Sequence, residues 1–223
     1  MYRVSVFNTV PHVEVYSHVS ADSVFCCLLE THPITPFRQG MDFLKDLLWA
    51  THSFSPNLLK SQNPPIALMS NVHQVLISLK EQNNIEEIGF VTGVMMRPNN
   101  IQIGWIGDMR THLIQNGHLL EKTRLHNYFE DPANELIKQS LETAPKEYCS
   151  VVTRGLGPLD SKPPETAIWN VSGRHSLVIC TSQIHQYHEP DKYIPQVINW
   201  LNLSTRPDDF SFQGAAIKVD YID

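Results

Sequence analysis

Apolar residues fall in short runs separated by turns rich in Pro, Asn and Gly, a pattern of many strands and few helices. The densest part spans residues 88–120. Runs at 88–96, 101–106 and 109–115 predict three consecutive antiparallel strands. Arg97-Pro98-Asn99-Asn100 forms the first turn, because Pro fixes φ and Asn tolerates left-handed geometry. Asn116-Gly117 is a hairpin signal after the third strand, and Gly107-Asp108 interrupts the pattern between the second and third. Apolar residues on consecutive strands imply a sheet packed on a second sheet.

Around this centre the same reading places strands at 2–7, 12–18 and 23–29, the last apolar throughout as in a sheet interior. Helical spacing predicts helices over 37–51 and 65–82, with Pro65 suited to a first turn. Asp131-Pro132 opens a third helix to about residue 142. Strands are expected at 148–153 and at 212–222, and a helix at 190–201. Runs 166–171 and 176–181 read as a hairpin about Ser172-Gly173-Arg174. The order is that of an α+β domain, a sheet-on-sheet core flanked by helices, with all 223 residues in one unit.

Composition narrows the function classes. A net charge of −6 and a pI near 6.0 argue against nucleic-acid or anionic-membrane partners, since no basic face is available to displace counterions. No apolar run approaches the ~20 residues a membrane helix needs. The first residues enter a strand without a signal-peptide pattern, so a cytoplasmic location is expected. Cys26, Cys27, Cys149 and Cys180 lie in apolar segments without C-x-x-C spacing and read as buried free thiols. His185 and His188 have no third ligand at metal spacing.

Asp108, a charge directly after a Gly at the end of an apolar strand, is the first candidate for chemistry. The run Ile103-Gly104-Trp105-Ile106-Gly107-Asp108-Met109-Arg110, with Asn116-Gly117 beyond it, resembles the "A-N-x-G-D-S-R … x-N-G" segment of PP2C-type, metal-dependent serine/threonine phosphatases. Residues 89–96 stand where that family has its "G-S-T-A" strand, and 151–157 resemble its "L-T-R-A-L-G". The resemblance implies a four-layer α-β-β-α sandwich with antiparallel sheets. It also implies a site where aspartates hold two Mg²⁺ or Mn²⁺ ions that activate water toward a phosphate ester.

Mapped residue by residue, that site is depleted. The family's "D-G-x-G-G" corresponds to Glu30-Thr31-His32-Pro33-Ile34, which keeps a carboxylate but no glycine. Its "N-E-D" position falls on Glu14 by spacing or Asp22 by residue type. In "S-D-G-L-x-D", Ser182 stands for the metal-bridging Asp, Gln183 for the Gly and Gln186 for the later Asp. The final signature retains Asp209, and Asp108 matches a third-metal position of some members. The candidate metal set is therefore Glu30, Asp108 and Asp209, with no catalytic residue assigned. Neutral Ser and Gln do not compensate a pair of dications. The expectation is a pseudophosphatase scaffold for a protein partner, with no resident cofactor, or Mg or Mn if any. The alternative is an active phosphoprotein phosphatase with a reduced metal site. Each candidate also has a structural reading: Asp108 as a turn cap, Glu30 as a solvated strand-end charge, Asp209 as a turn residue.

Overall fold

The structure is a computed structural model and describes residues 1–10, 13–33, 58–83, 87–127, 130, 151–157, 163–185, 190–202 and 214–222. Its strands are β1 (Tyr2–Asn8), β2 (Val13–Val19), β3 (Val24–Pro33), β4 (Glu87–Arg97), β5 (Asn100–Ile106), β6 (Arg110–Gln115), β7 (His118–Lys122), β8 (Glu165–Asn170), β9 (His175–Cys180) and β10 (Ala215–Tyr221). Its helices are α1 (Pro64–Asn83), α2 (Ser182–His185) and α3 (Pro190–Asn202). The expected helices at 37–51 and 131–142, and Asp209 itself, lie outside the described residues.

Two antiparallel sheets result, one ordered β1-β10-β9-β6-β7 and the other β2-β3-β4-β5-β8. Between them lies a core that includes Cys26, Leu28, Val94, Met96, Ile103, Met109, Leu177, Ile179 and Ile217. On the outer face of the second sheet, Leu68, Met69, Val72 and Leu76 of α1 meet Phe25, Cys27, Leu29 and Met95. Asn63 caps this helix by accepting the Ile66 amide at 3.4 Å, and Pro64 and Pro65 occupy positions whose amides need no helical partner. Gly93 and Gly104 are paired across β4 and β5, and a Cβ at Gly104 would lie 3.0 Å from Pro65, so the glycines admit the helix. On the outer face of the first sheet, Tyr193, Ile194, Val197 and Leu201 of α3 cover Phe7, Ile114, Val178 and Cys180. The layers are helix, sheet, sheet, helix, the α+β sandwich that the resemblance implied.

Two strand pairings differ from the sequence reading. The run 88–115 is not one three-stranded sheet: β4 pairs β5, but β6 crosses to the other sheet and pairs β7 and β9. Gly107 makes the crossing with φ of 103°, a conformation that side chains disfavour, and a Cβ there would meet Phe90 at 2.6 Å. Likewise 166–171 and 176–181 do not form a hairpin, because β8 edges the second sheet beside β5 while β9 lies between β10 and β6. Burial explains the split. β8 alternates between exposed and half-buried residues as an edge strand does, whereas Leu177–Cys180 are covered on both faces. The strand expected at 148–153 is represented, among described residues, by one bridge between Val152 and Asn127. Asn116 (φ 53°) and Gly117 (φ 78°) form the expected β6–β7 turn. Among the described residues no helix is long and apolar enough to cross a membrane.

Candidate functional site

Glu30 sits late in β3, opposite Val13 on one side and Phe90 on the other, and its side chain is 0% exposed. It is not the solvated strand-end charge that its position in the sequence allowed. Gln183 Nε2 donates to Glu30 Oε1 at 2.8 Å. That bond joins the second sheet to the short helix α2, which follows β9 of the first. Thr181 sets the helix in place: its carbonyl accepts the amides of Ile184 (3.0 Å) and His185 (3.3 Å), and its hydroxyl accepts the Ala215 amide at 3.1 Å.

Asp108 is 3% exposed, at the sheet crossing made by Gly107. Two histidines brace this corner. His185 Nε2–H donates to the Asp108 carbonyl at 2.7 Å, so Nε2 carries the proton. His126 Nδ1 accepts the Gly107 amide at 3.0 Å while the His126 amide donates to the Gly107 carbonyl at 2.9 Å. Nδ1 of His126 is therefore unprotonated, and Nε2 faces Glu165 Oε1 at 3.3 Å. Burial, then the Arg154 guanidinium, lowers the pKa of His126 to about 4. Glu165 also takes ion pairs from Arg124 and from Arg154 (3.0 Å), and its carboxyl is held below the usual range despite a desolvation effect that acts upward. The segment 151–157 thus anchors the crossing through Arg154. It further closes on β4 by reciprocal 2.8 Å bonds between Gly89 and Leu156.

α2 and the Gly107 corner therefore bring Glu30, Asp108, Ser182, Gln183 and His185 to one end of the sandwich. Of the two residues open for the "N-E-D" position, Glu14 lies in β2 beside this end, opposite Leu29, whereas Asp22 is exposed in the β2–β3 turn at the far end of β3. The sequence reading missed the role of His185 and of His126. The available signal was the Gly-Asp corner, which buries backbone groups that need partners. Cys26, Cys27 and Cys180 are free and buried, as expected, and burial pushes the Cys27 and Cys180 thiols up to about 12.

Among the described residues, no three His, Cys, Asp or Glu side chains are placed to hold one metal ion. The Glu30 carboxylate oxygen meets an amide donor, and Ser182 supplies no charge. Among the described residues, this donor set does not by itself supply the clustered anionic oxygens that a pair of divalent cations needs.

No known family model matches the sequence, and no curated protein does. Solved structures do match. The S. agalactiae serine/threonine phosphatase superposes with a TM-score of 0.66 at 14% identity over 100% of both chains. The catalytic domain of the serine/threonine protein phosphatase PstP, in complex with two manganese ions, gives 0.66 at 13% over 100% of this chain and 99% of that one. PppA, a regulatory component of the T6SS in Pseudomonas aeruginosa, gives 0.62 at 17%, covering 98% and 96%. The chain has the fold of the PP2C-type serine/threonine phosphatases.

Proposed function

We propose that this protein is a pseudophosphatase, a PP2C-type sandwich that binds or regulates a protein partner in the cytoplasm and holds no divalent cation pair. The observation that carries the reading is the 2.8 Å bond from Gln183 to Glu30. A neutral amide occupies one oxygen, Oε1, of the buried carboxylate that a metal would need. Ser182 and Gln183 stand at the positions that the resemblance gives to an Asp and a Gly, so the lost charge and the added donor are adjacent.

The test is a thermal melt with and without millimolar Mn²⁺ or Mg²⁺, paired with turnover of a chromogenic phosphate monoester. A ligand that binds only the native state must raise its stability, by about 2.7 kcal/mol at a hundred times Kd. The expected result is no shift and no turnover. The double replacement Ser182→Asp with Gln183→Gly should create a Mn²⁺-dependent shift. A Mn²⁺ shift of several degrees in the unaltered chain, with turnover, overturns the proposal. The burial of Glu30 and Asp108 at one end of the sandwich favours a second reading, a working phosphatase on Glu30, Asp108 and Asp209. Turnover abolished by Asp209→Asn would establish that reading.

A further inference from the structure

Asn116 is the one asparagine of the sequence that a glycine follows, and the pair forms the whole turn between β6 and β7. Gln115 and His118 face each other on either side of it. Asn116 and Gly117 are both exposed. Among the described residues, neither the Asn116 side chain nor the Gly117 main-chain nitrogen enters a hydrogen bond. A Cβ at Gly117 would meet nothing within 4 Å, so this peptide unit is open to solvent on the side where other residues carry a side chain.

An asparagine so placed is open to attack by its own chain. The Gly117 nitrogen gives its proton to hydroxide and bonds to Asn116 Cγ. The bond from Cγ to the side-chain nitrogen breaks, and that nitrogen takes protons from water and leaves as ammonia. A cyclic imide remains. Water then adds to one of its two carbonyls. The ring opens to aspartate, with the main chain restored, or to isoaspartate, with the main chain running through Cβ and Cγ. No electron is transferred, and water is the one co-reactant. Glycine favours the step because no side chain shields its nitrogen.

The two products differ in effect. Asp-Gly suits the same turn as Asn-Gly, so aspartate adds a charge and keeps the hairpin. Isoaspartate lengthens the main chain inside a two-residue turn whose length sets the register. The two strands are unequally held. β6 pairs with β9, and Gln115 Nε2 ties its end to the Ser172 carbonyl at 2.5 Å, whereas β7 is exposed over all five residues. β7 is therefore the strand that yields. Release stops at buried Thr123, whose amide donates to the Thr111 carbonyl at 2.9 Å and whose hydroxyl accepts the Thr111 amide at 2.9 Å.

We propose that Asn116 is a site of spontaneous modification through a cyclic imide, and that its isoaspartate product frees β7 and leaves β6 as the edge of the first sheet. The inference stands whether or not phosphatase chemistry survives, since it uses none of Glu30, Asp108 or Gln183.

The experiment incubates the full chain at pH 8 and digests it with trypsin, which cuts after Arg110 and Lys122 and delivers residues 111–122 as one peptide. Mass spectrometry should show that peptide converting from amide to acid, with an isoaspartyl fraction detected by an isoaspartyl-specific methyltransferase. Asn99 and Asn100 in the β4–β5 turn should stay intact, the rate at pH 7 should fall in proportion to hydroxide, and Asn116→Gln should abolish conversion. Hydrogen exchange of the isoaspartyl chain should lose protection in β7 and keep it in β9 and β10, while Asn116→Asp keeps it in all three. A peptide 111–122 that converts when free but not within the folded chain overturns the proposal, because the turn then protects the site. Conversion at Asn99 as fast as at Asn116 overturns it equally. So do an isoaspartyl chain with β7 still protected, one that loses protection in β9 and β10 as well, and an Asn116→Asp chain that loses it in β7.

Discussion

Replacing Gln183 by Glu tests the contact on which the functional reading rests. The wild-type amide donates to Glu30 Oε1 at 2.8 Å, and Glu30 is fully buried. The substitution removes a hydrogen bond to a charged group, about 1.5–3 kcal/mol. It also sets two carboxylates together, a repulsion of about 4 kcal/mol at 4 Å for an effective dielectric of 20. Partial exposure of residue 183 screens that repulsion, and proton uptake by the pair limits it. The net loss at pH 7 should be about 3 kcal/mol, a fall in Tm of roughly 6–12 °C for a chain of this size. The sign with pH is definite. Two carboxylates at one site take up a proton in the folded state at a higher pH than in the unfolded chain. The penalty relative to wild type is therefore full above the folded pKa and shrinks as pH falls toward ~4.3. Urea unfolding of both proteins at pH 7 and pH 5 measures it. Mn²⁺ should also raise the Tm of the variant and leave wild type unchanged. A variant as stable as wild type at pH 7, or a deficit that grows on acidification, refutes the reasoning.

Acid should destabilise the fold through its buried histidines. His126 is neutral when folded, with a pKa of about 4 against 6.5 unfolded, so its contribution is complete above 6.5 and lost as pH falls toward 4. That is worth about 3 kcal/mol, and His126→Gln should flatten the pH dependence of urea unfolding. Gly107→Ala forces a side chain into φ of 103° and against Phe90, and should cost about 3 kcal/mol; a loss under 1 kcal/mol would mean that the crossing relaxes. Tyr193→Phe removes the hydroxyl that lies 2.6 Å from His112 Nε2. It should cost about 1–3 kcal/mol in denaturant unfolding, part of which the further change His112→Leu should recover.

Strand positions were legible because apolar runs and turn residues are local signals. β4 and β5 lie within a residue of their expected places, β3 begins where expected but runs on to Pro33 past Glu30, and Asn116-Gly117 marked its turn correctly. Sheet membership was not local. β5 and β6 are separated by a Gly-Asp pair that reads as a break in one sheet but is a passage between two, and φ at Gly107 is not written in the hydrophobic pattern. The same holds for Ser172-Gly173-Arg174, where only the continuous burial of β9 against the alternation of β8 separates a crossing from a hairpin. Glu30 was legible as a candidate and misjudged in environment. Its hydrogen-bond partner Gln183 is 153 positions distant and brought over by α2. The histidines at 126 and 185 act through the backbone of Gly107 and Asp108, and no spacing rule announces such a bond.

These contacts share a physical character that bears on how the cleft keeps its shape. Gln183 on Glu30, His185 on the Asp108 carbonyl and the Gly107 amide on His126 Nδ1 are directional hydrogen bonds, each worth on the order of 1 kcal/mol or somewhat more where the acceptor is ionised. Bound cations would hold the same carboxylates more strongly, but only at an ion concentration above their dissociation constants. A site fastened by amide and imidazole hydrogen bonds has no such dependence. Its geometry should persist in chelator and change when His126 takes up a proton in acid. For a protein whose proposed role is to present a surface to a partner, that is the relevant property. On the proposed reading, these bonds join one end of the two sheets without a bound ion, at the expense of the charge that phosphoryl chemistry would require.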